Sequence, residues 1–172
     1  LATDAGNAAT LFYTVHHIVV KANLFLIAGM VAVVAGSYDL RRIGGLAAAR
    51  PALALLFAVP ALSLVGVPPL SGFWAKLLVL QEAFVRERYA WGALGLLVSA
   101  LTLYSMMKIW IEAFWKPHPD ADPRDVWRPR RVSLAAAWLA TGSLAGVTLA
   151  IGLAPQPLIE LARDAAATLG RR

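Results

Sequence analysis

Gly66-Val67-Pro68-Pro69-Leu70-Ser71-Gly72, followed one helical turn later by Lys76, interrupts an apolar stretch that runs from Pro51 to Phe84. Two prolines remove two backbone donors and the glycines at either end loosen the chain, so no single regular helix fits. The stretch is predicted to form two half-helices, the first ending near Val65 and the second starting near Ser71 or Gly72. Irregular backbone at membrane depth persists only where protein or water satisfies the freed N–H and C=O groups, and broken helices recur at transporter sites. A charge deep in hydrocarbon costs about 3 kcal/mol on insertion scales. Lys76, and Lys21 in another apolar stretch, are therefore expected to face a bundle interior or a wetted cavity.

Composition supports a membrane setting. The 172 residues are 59% hydrophobic and 15% charged, with a mean hydropathy of +0.65, which is too apolar for an ordinary soluble domain. No cysteine is present, which removes disulfides, thiolate metal sites and cysteine nucleophiles. A net charge of +6 would suit nucleic acid, but many basic residues flank apolar segments, where membrane orientation and anionic lipid account for them. Nucleic acid is not expected as a partner; the lipid bilayer is.

The expected fold is an all-α integral membrane bundle of about four transmembrane segments, one of them discontinuous, with a C-terminal interfacial helix. Segment one runs from about 8 to 36, long enough to cross a hydrocarbon core of about 30 Å, and carries His16, His17, Lys21 and Asn23. A charged linker, 37–50, contains Gly44-Gly45 as a breaker. Segment two, 51–84, opens on Pro51 and is broken at 66–72. Segment three, 91–115, has a tryptophan at each end. The stretch 116–131, with four prolines and many charges, reads as an exposed loop. Segment four, 132–153, contains Gly142 and Gly146, a small-xxx-small pair suited to close helix packing. Residues 155–172 form an amphipathic helix, interfacial or docked, with a basic tail. The loops 37–50 and 116–131 share a side and bear eight Lys or Arg against five opposite. That bias places them in the cytoplasm.

His17 and Lys21 are one turn apart on the same helix face, where a water or two would bridge them. Histidine titrates near neutrality and burial disfavours a charged lysine, so the pair suits proton exchange. His16 points about 100° away, toward another neighbour or a backbone carbonyl. The opened N-terminus of the second half-helix carries partial positive charge, which disfavours an ammonium ion beside it and makes Lys76 a candidate switch. Lys108 and Glu112, four apart, are expected to pair near the boundary, with Tyr104 one turn earlier. Glu82, near the exit of the second half-helix, reads as a solvated carboxylate and only a secondary cation-ligand candidate. No phosphate loop, metal-ligand spacing or nucleophile with a base is present, so neither an enzyme, a metal site nor a cofactor is expected.

These motifs resemble the antiporter-like membrane subunits shared by Mrp-type cation/proton antiporters and respiratory complex I. Phe12-Tyr13-Thr14-Val15-His16-His17-Ile18-Val19-Val20-Lys21, continuing to Gly29, looks like the family's lysine-bearing helix of the second repeat. Ala61 to Lys76 looks like its discontinuous helix, and Leu101 to Trp110 with Ala113-Phe114-Trp115 is similar to the D-type subunits of Mrp antiporters. The resemblance implies a plasma-membrane, proton-translocating subunit that works with other membrane subunits of the same complex on protons and sodium. Protons would be relayed through Lys21, His17, His16 and Lys76. It also implies fourteen helices, of which this chain matches the last third, so the chain, opening on Leu1, is expected to be the C-terminal portion of a longer subunit. The alternatives are an antiporter-like subunit of complex I or a membrane-bound hydrogenase, and a membrane anchor or assembly protein that transports nothing.

Overall fold

The computed structural model describes residues 3–118 and 133–169, and every regular element within them is helical. Most of the loop expected at 116–131, the residue Val132 and the basic tail lie outside the described residues. Helix α1 (Asp4–Ala35) is capped by Thr3, whose hydroxyl accepts the Gly6 N–H at 3.0 Å. Its 32 residues make it about 48 Å long. A short turn, α2 (Leu46–Ala49), leads into α3 (Pro51–Val65), which places Pro51 at its first position and continues through Pro60. Helix α4 (Ser71–Val85) follows the break, and α5 (Tyr89–Trp110) ends in a π-helical turn, Ile111–Trp115. Helices α6 (Ala135–Leu153) and α7 (Gln156–Leu169) complete the order.

Three helical stretches, Asp4–Ala35, Tyr89–Trp115 and Ala135–Leu153, are long and apolar enough to cross a membrane, and Pro51–Val65 is a shorter apolar helix. At 15 residues each, α3 and α4 are about 22 Å long. Neither alone crosses a core of about 30 Å, but end to end across the break they do. The chain is a multi-pass membrane helical bundle.

Helix α1 is its axis, packed by α3, α4, α6 and α7. Two apolar clusters hold it. Toward the 37–50 end, Ile27 and Met30 meet Ile43, Leu46, Leu53, Phe57 and Phe114. At the other end Ala8 and Phe12 meet Ala75, Ala162 and Ala166. The alanines Ala162 and Ala166 belong to α7, which thus docks on α1 while Glu160, Arg163 and Asp164 stay exposed.

The described parts of the two loops expected to share a side are in contact. The Gly45 N–H donates to the Lys116 carbonyl at 2.6 Å, and Gly44 lies so close to the carbonyls of Lys116 and Pro117 that a Cβ there would clash.

Two expectations are corrected. Among the described residues Gly142 and Gly146 do not form the packing seam; both are exposed, with nothing there within 4 Å of a Cβ built on either. The buried face of α6 is instead Thr141, Ala145, Thr148 and Gly152. Asn23 explains the choice, because its amide, oriented to satisfy both partners, bridges the Thr141 carbonyl and the Ala145 N–H at 3.3 Å each. A buried amide needs such partners, and meeting them fixes the rotation of α6. Lys108 and Glu112 likewise do not form the ion pair. Glu112 pairs with Lys116 at 2.9 Å, in the order carboxylate before lysine that helix geometry favours.

Candidate functional site

Between the two apolar clusters lies a polar layer centred on the break. Helix α3 ends at Gly66, whose φ of 98° is a left-handed conformation that glycine adopts without a Cβ penalty. A Cβ at Gly66 would also lie 2.9 Å from Lys76 Cδ, so the missing side chain gives the lysine its passage. Lys76 uses it to reach back across the break. Its Nζ donates to the Val65 carbonyl at 2.7 Å and to Ser99 Oγ of α5 at 2.9 Å. Contrary to expectation, the ammonium rests at the C-terminal, partially negative end of α3 rather than against the positive end of α4.

The N-terminus of α4 receives its cap from another helix. Leu70 stands at the N-cap position and has no side-chain acceptor, so Ser63 of α3 accepts the Gly72 N–H at 3.1 Å. Ser63 Oγ lies 3.1 Å from Ser71 Oγ, which in turn lies 2.8 Å from His16 Nδ1. His16, Ser63 and Ser71 are all buried, and Gly72 abuts the Ser63 carbonyl so closely that no Cβ fits. Pro68 and Pro69 line the exposed turn, joined by a cis peptide bond. On the far side Trp74 Nε1 donates to the Gly152 carbonyl at 2.9 Å, fastening α4 to α6.

Helix α5 packs on α3 and α4 and stands off α1. The space left between them is a cavity of about 1160 Å³ lined by Tyr13, His17, Lys21, Lys76 and Ser99 among others. His17 stacks on Tyr13 with ring centroids 5.6 Å apart, and its Nδ1 has no protein partner among the described residues. The cavity therefore gathers His17, Lys21 and Lys76, while His16 belongs to the break. Of the two settings expected for Lys21, a bundle interior or a wetted cavity, the structure places it on the cavity wall, where it is exposed because α1 is wrapped by neighbours on its other faces. Thr3, Arg86 and Arg88 border the end away from the 37–50 loop.

Glu82 is not the solvated carboxylate expected from its position. It is 9% exposed, accepts the Thr3 hydroxyl at 2.7 Å and pairs with Arg86 at 3.1 Å. Tyr104, Lys108 and Glu112 lie outside the cavity lining. The sequence did not single out Ser63 and Ser99. Each is a small polar residue in an apolar helix, but that signal does not distinguish them from hydroxyls that merely bond their own helix.

One cavity thus holds a lysine that bridges a broken helix, a second lysine and a histidine. The family described as NADH:quinone oxidoreductase/Mrp antiporter, TM, matches residues 1–103. The chain belongs to this family. Within the NADH:quinone oxidoreductase/Mrp antiporter family, the D subunit of the Na(+)/H(+) antiporter of Alkalihalophilus pseudofirmus is 38% identical over 158 residues, covering 92% of this chain and 31% of that protein. The corresponding D subunit of Bacillus subtilis is 37% identical over 113 residues, covering 66% of this chain and 23% of that one. A chain of the Mrp complex from a Dietzia species superposes with a TM-score of 0.85 at 35% identity, covering 97% of this chain and 38% of that chain. The chain thus spans about a third of the length of the first of these curated relatives.

Proposed function

We propose that the chain is the C-terminal portion of a proton-translocating subunit of a multisubunit sodium(cation)/proton antiporter, in which protons pass between Lys21 and Lys76 by way of His17 and cavity water. The observation that carries the reading is that His17, Lys21 and Lys76 line one cavity in a chain of this family. A proton delivered to Lys21 raises the positive potential at Lys76 across a poorly screened interior, and the proton on Lys76 leaves toward one face. His16 holds the break instead of carrying the proton. The working partners are the other membrane subunits of the same complex, the location is the plasma membrane, and the loops 37–50 and 116–131 face the cytoplasm.

The test is proton/sodium exchange in antiporter-deficient vesicles, comparing the full-length complex with Lys76→Ala at matched assembly. Exchange should be lost. Wild-type exchange would remove Lys76 from the path, and leucine tolerated at both Lys21 and Lys76 would favour a non-transporting anchor. A second reading, an antiporter-like subunit of a redox-driven complex, is favoured by the other half of the family's description. Neighbouring genes for iron-sulfur and quinone-site proteins would support it.

A further inference from the structure

We propose that His16 is a positioning residue: through Ser71 and Ser63 it sets the turn between α3 and α4, and thereby holds Lys76 on the Val65 carbonyl. The proposal deepens the reading of Lys76 given above, but its primary readout does not depend on transport.

Helix α4 begins without a cap of its own. Residue Leu70 offers no acceptor, so the second N–H of α4, that of Gly72, depends on a hydroxyl from α3. One direction of hydrogen bonding satisfies every group. The Gly72 N–H donates to Ser63, Ser63 donates to Ser71, and Ser71 donates to His16 Nδ1. The reverse order leaves the Ser63 proton without an acceptor inside the network. His16 therefore terminates the chain as its acceptor, on a different helix from the other three groups. It is 1% exposed, and its Cε1 lies 3.0 Å from where a Cβ on Gly72 would be, so the ring is seated against the turn as well as bonded to it. The same turn sets the register between α3 and α4. Lys76, one turn into α4, meets the last carbonyl of α3 only in that register.

The experiment uses the full-length subunit in its complex, with cysteines elsewhere replaced and a single cysteine placed at Val67, inside the turn and only partly exposed. The rate of its modification by a small thiol reagent reports the geometry of the break. Loss of the hydrogen bond in His16→Leu should speed labelling about tenfold. His16→Asn, whose amide occupies the Nδ1 position, should return the rate to within about twofold of the parent. Ser71→Ala should reproduce the leucine phenotype, and adding it to His16→Leu should change nothing further. A packing role alone would make leucine at least as good as asparagine, and that result, or unchanged labelling in both His16→Leu and Ser71→Ala, overturns the proposal. Should Lys76→Ala retain exchange while the labelling pattern holds, the relay reading fails and the positioning role stands.

Discussion

Lys76 Nζ and the Val65 carbonyl oxygen, 2.7 Å apart, join the two halves of an interrupted helix through a side chain. The final carbonyls of a helix have no partner within it, and a cation is well placed there. The lysine is therefore part of the break's architecture as well as a candidate carrier. Its second acceptor, Ser99, ties both half-helices to α5.

Ser99→Ala removes one of the two acceptors of the Lys76 ammonium. A hydrogen bond to a charged group contributes about 1.5–3 kcal/mol, so proton/cation exchange by the full-length complex should fall about tenfold or more, with assembly unchanged. Ser99→Thr should keep most of the activity. An unimpaired Ser99→Ala would show that the contact is incidental.

Gly66→Ala meets two penalties, a left-handed backbone and a Cβ 2.9 Å from Lys76 Cδ. The backbone alone costs about 1–2 kcal/mol. Thermal unfolding in detergent should shift downward, and exchange should fall further than the stability loss explains, because the lysine is displaced from Val65.

Gly152 and Gly146 should respond in opposite ways to alanine. A Cβ at Gly152 would strike the Pro69 carbonyl and the Leu70 backbone, whereas Gly146 faces open space. Overpacking of this kind costs about 1–3 kcal/mol, so Gly152→Ala should lower the unfolding midpoint. Gly146→Ala should leave it unchanged or raise it, since alanine is the better helix former.

The ion pair at the end of α5 can be assigned by double-mutant cycles. Glu112 should couple more strongly to Lys116 than to Lys108, and the coupling should vanish in high salt. Coupling to Lys108 alone would contradict the geometry.

The membrane bundle and its break were legible because they follow from local chemistry. A single proline is carried inside α3 at Pro60, but two adjacent prolines flanked by Gly66 and Gly72 remove too many donors for one regular helix to continue, and that cost is local. The grouping of His17, Lys21 and Lys76 was only partly legible. One-turn spacing brings His17 and Lys21 to one face, but nothing in the sequence says that α5 stands off α1 to leave a space there. The contacts of His16 and Glu82 are with partners 55 and 79 residues away, Ser71 and Thr3, and no local pattern encodes such pairs. The packing face of α6 was misread for a related reason. Glycine spacing permits close approach on one face, but the buried amide of Asn23 selects another.

Along the cavity wall, Ser99, Thr102 and Ser105 each donate their hydroxyl proton to the carbonyl four residues earlier, at 2.7 to 2.9 Å. Their protons are thus committed within α5, and only lone pairs face inward. Such a surface can anchor water without relaying protons along itself, since each hop would first require a hydroxyl to break from its own helix. On the proposed reading, helix α5 is the insulation on a wire: protons travelling between Lys21 and Lys76 would keep to His17 and cavity water, because the hydroxyls of that wall have none to pass on.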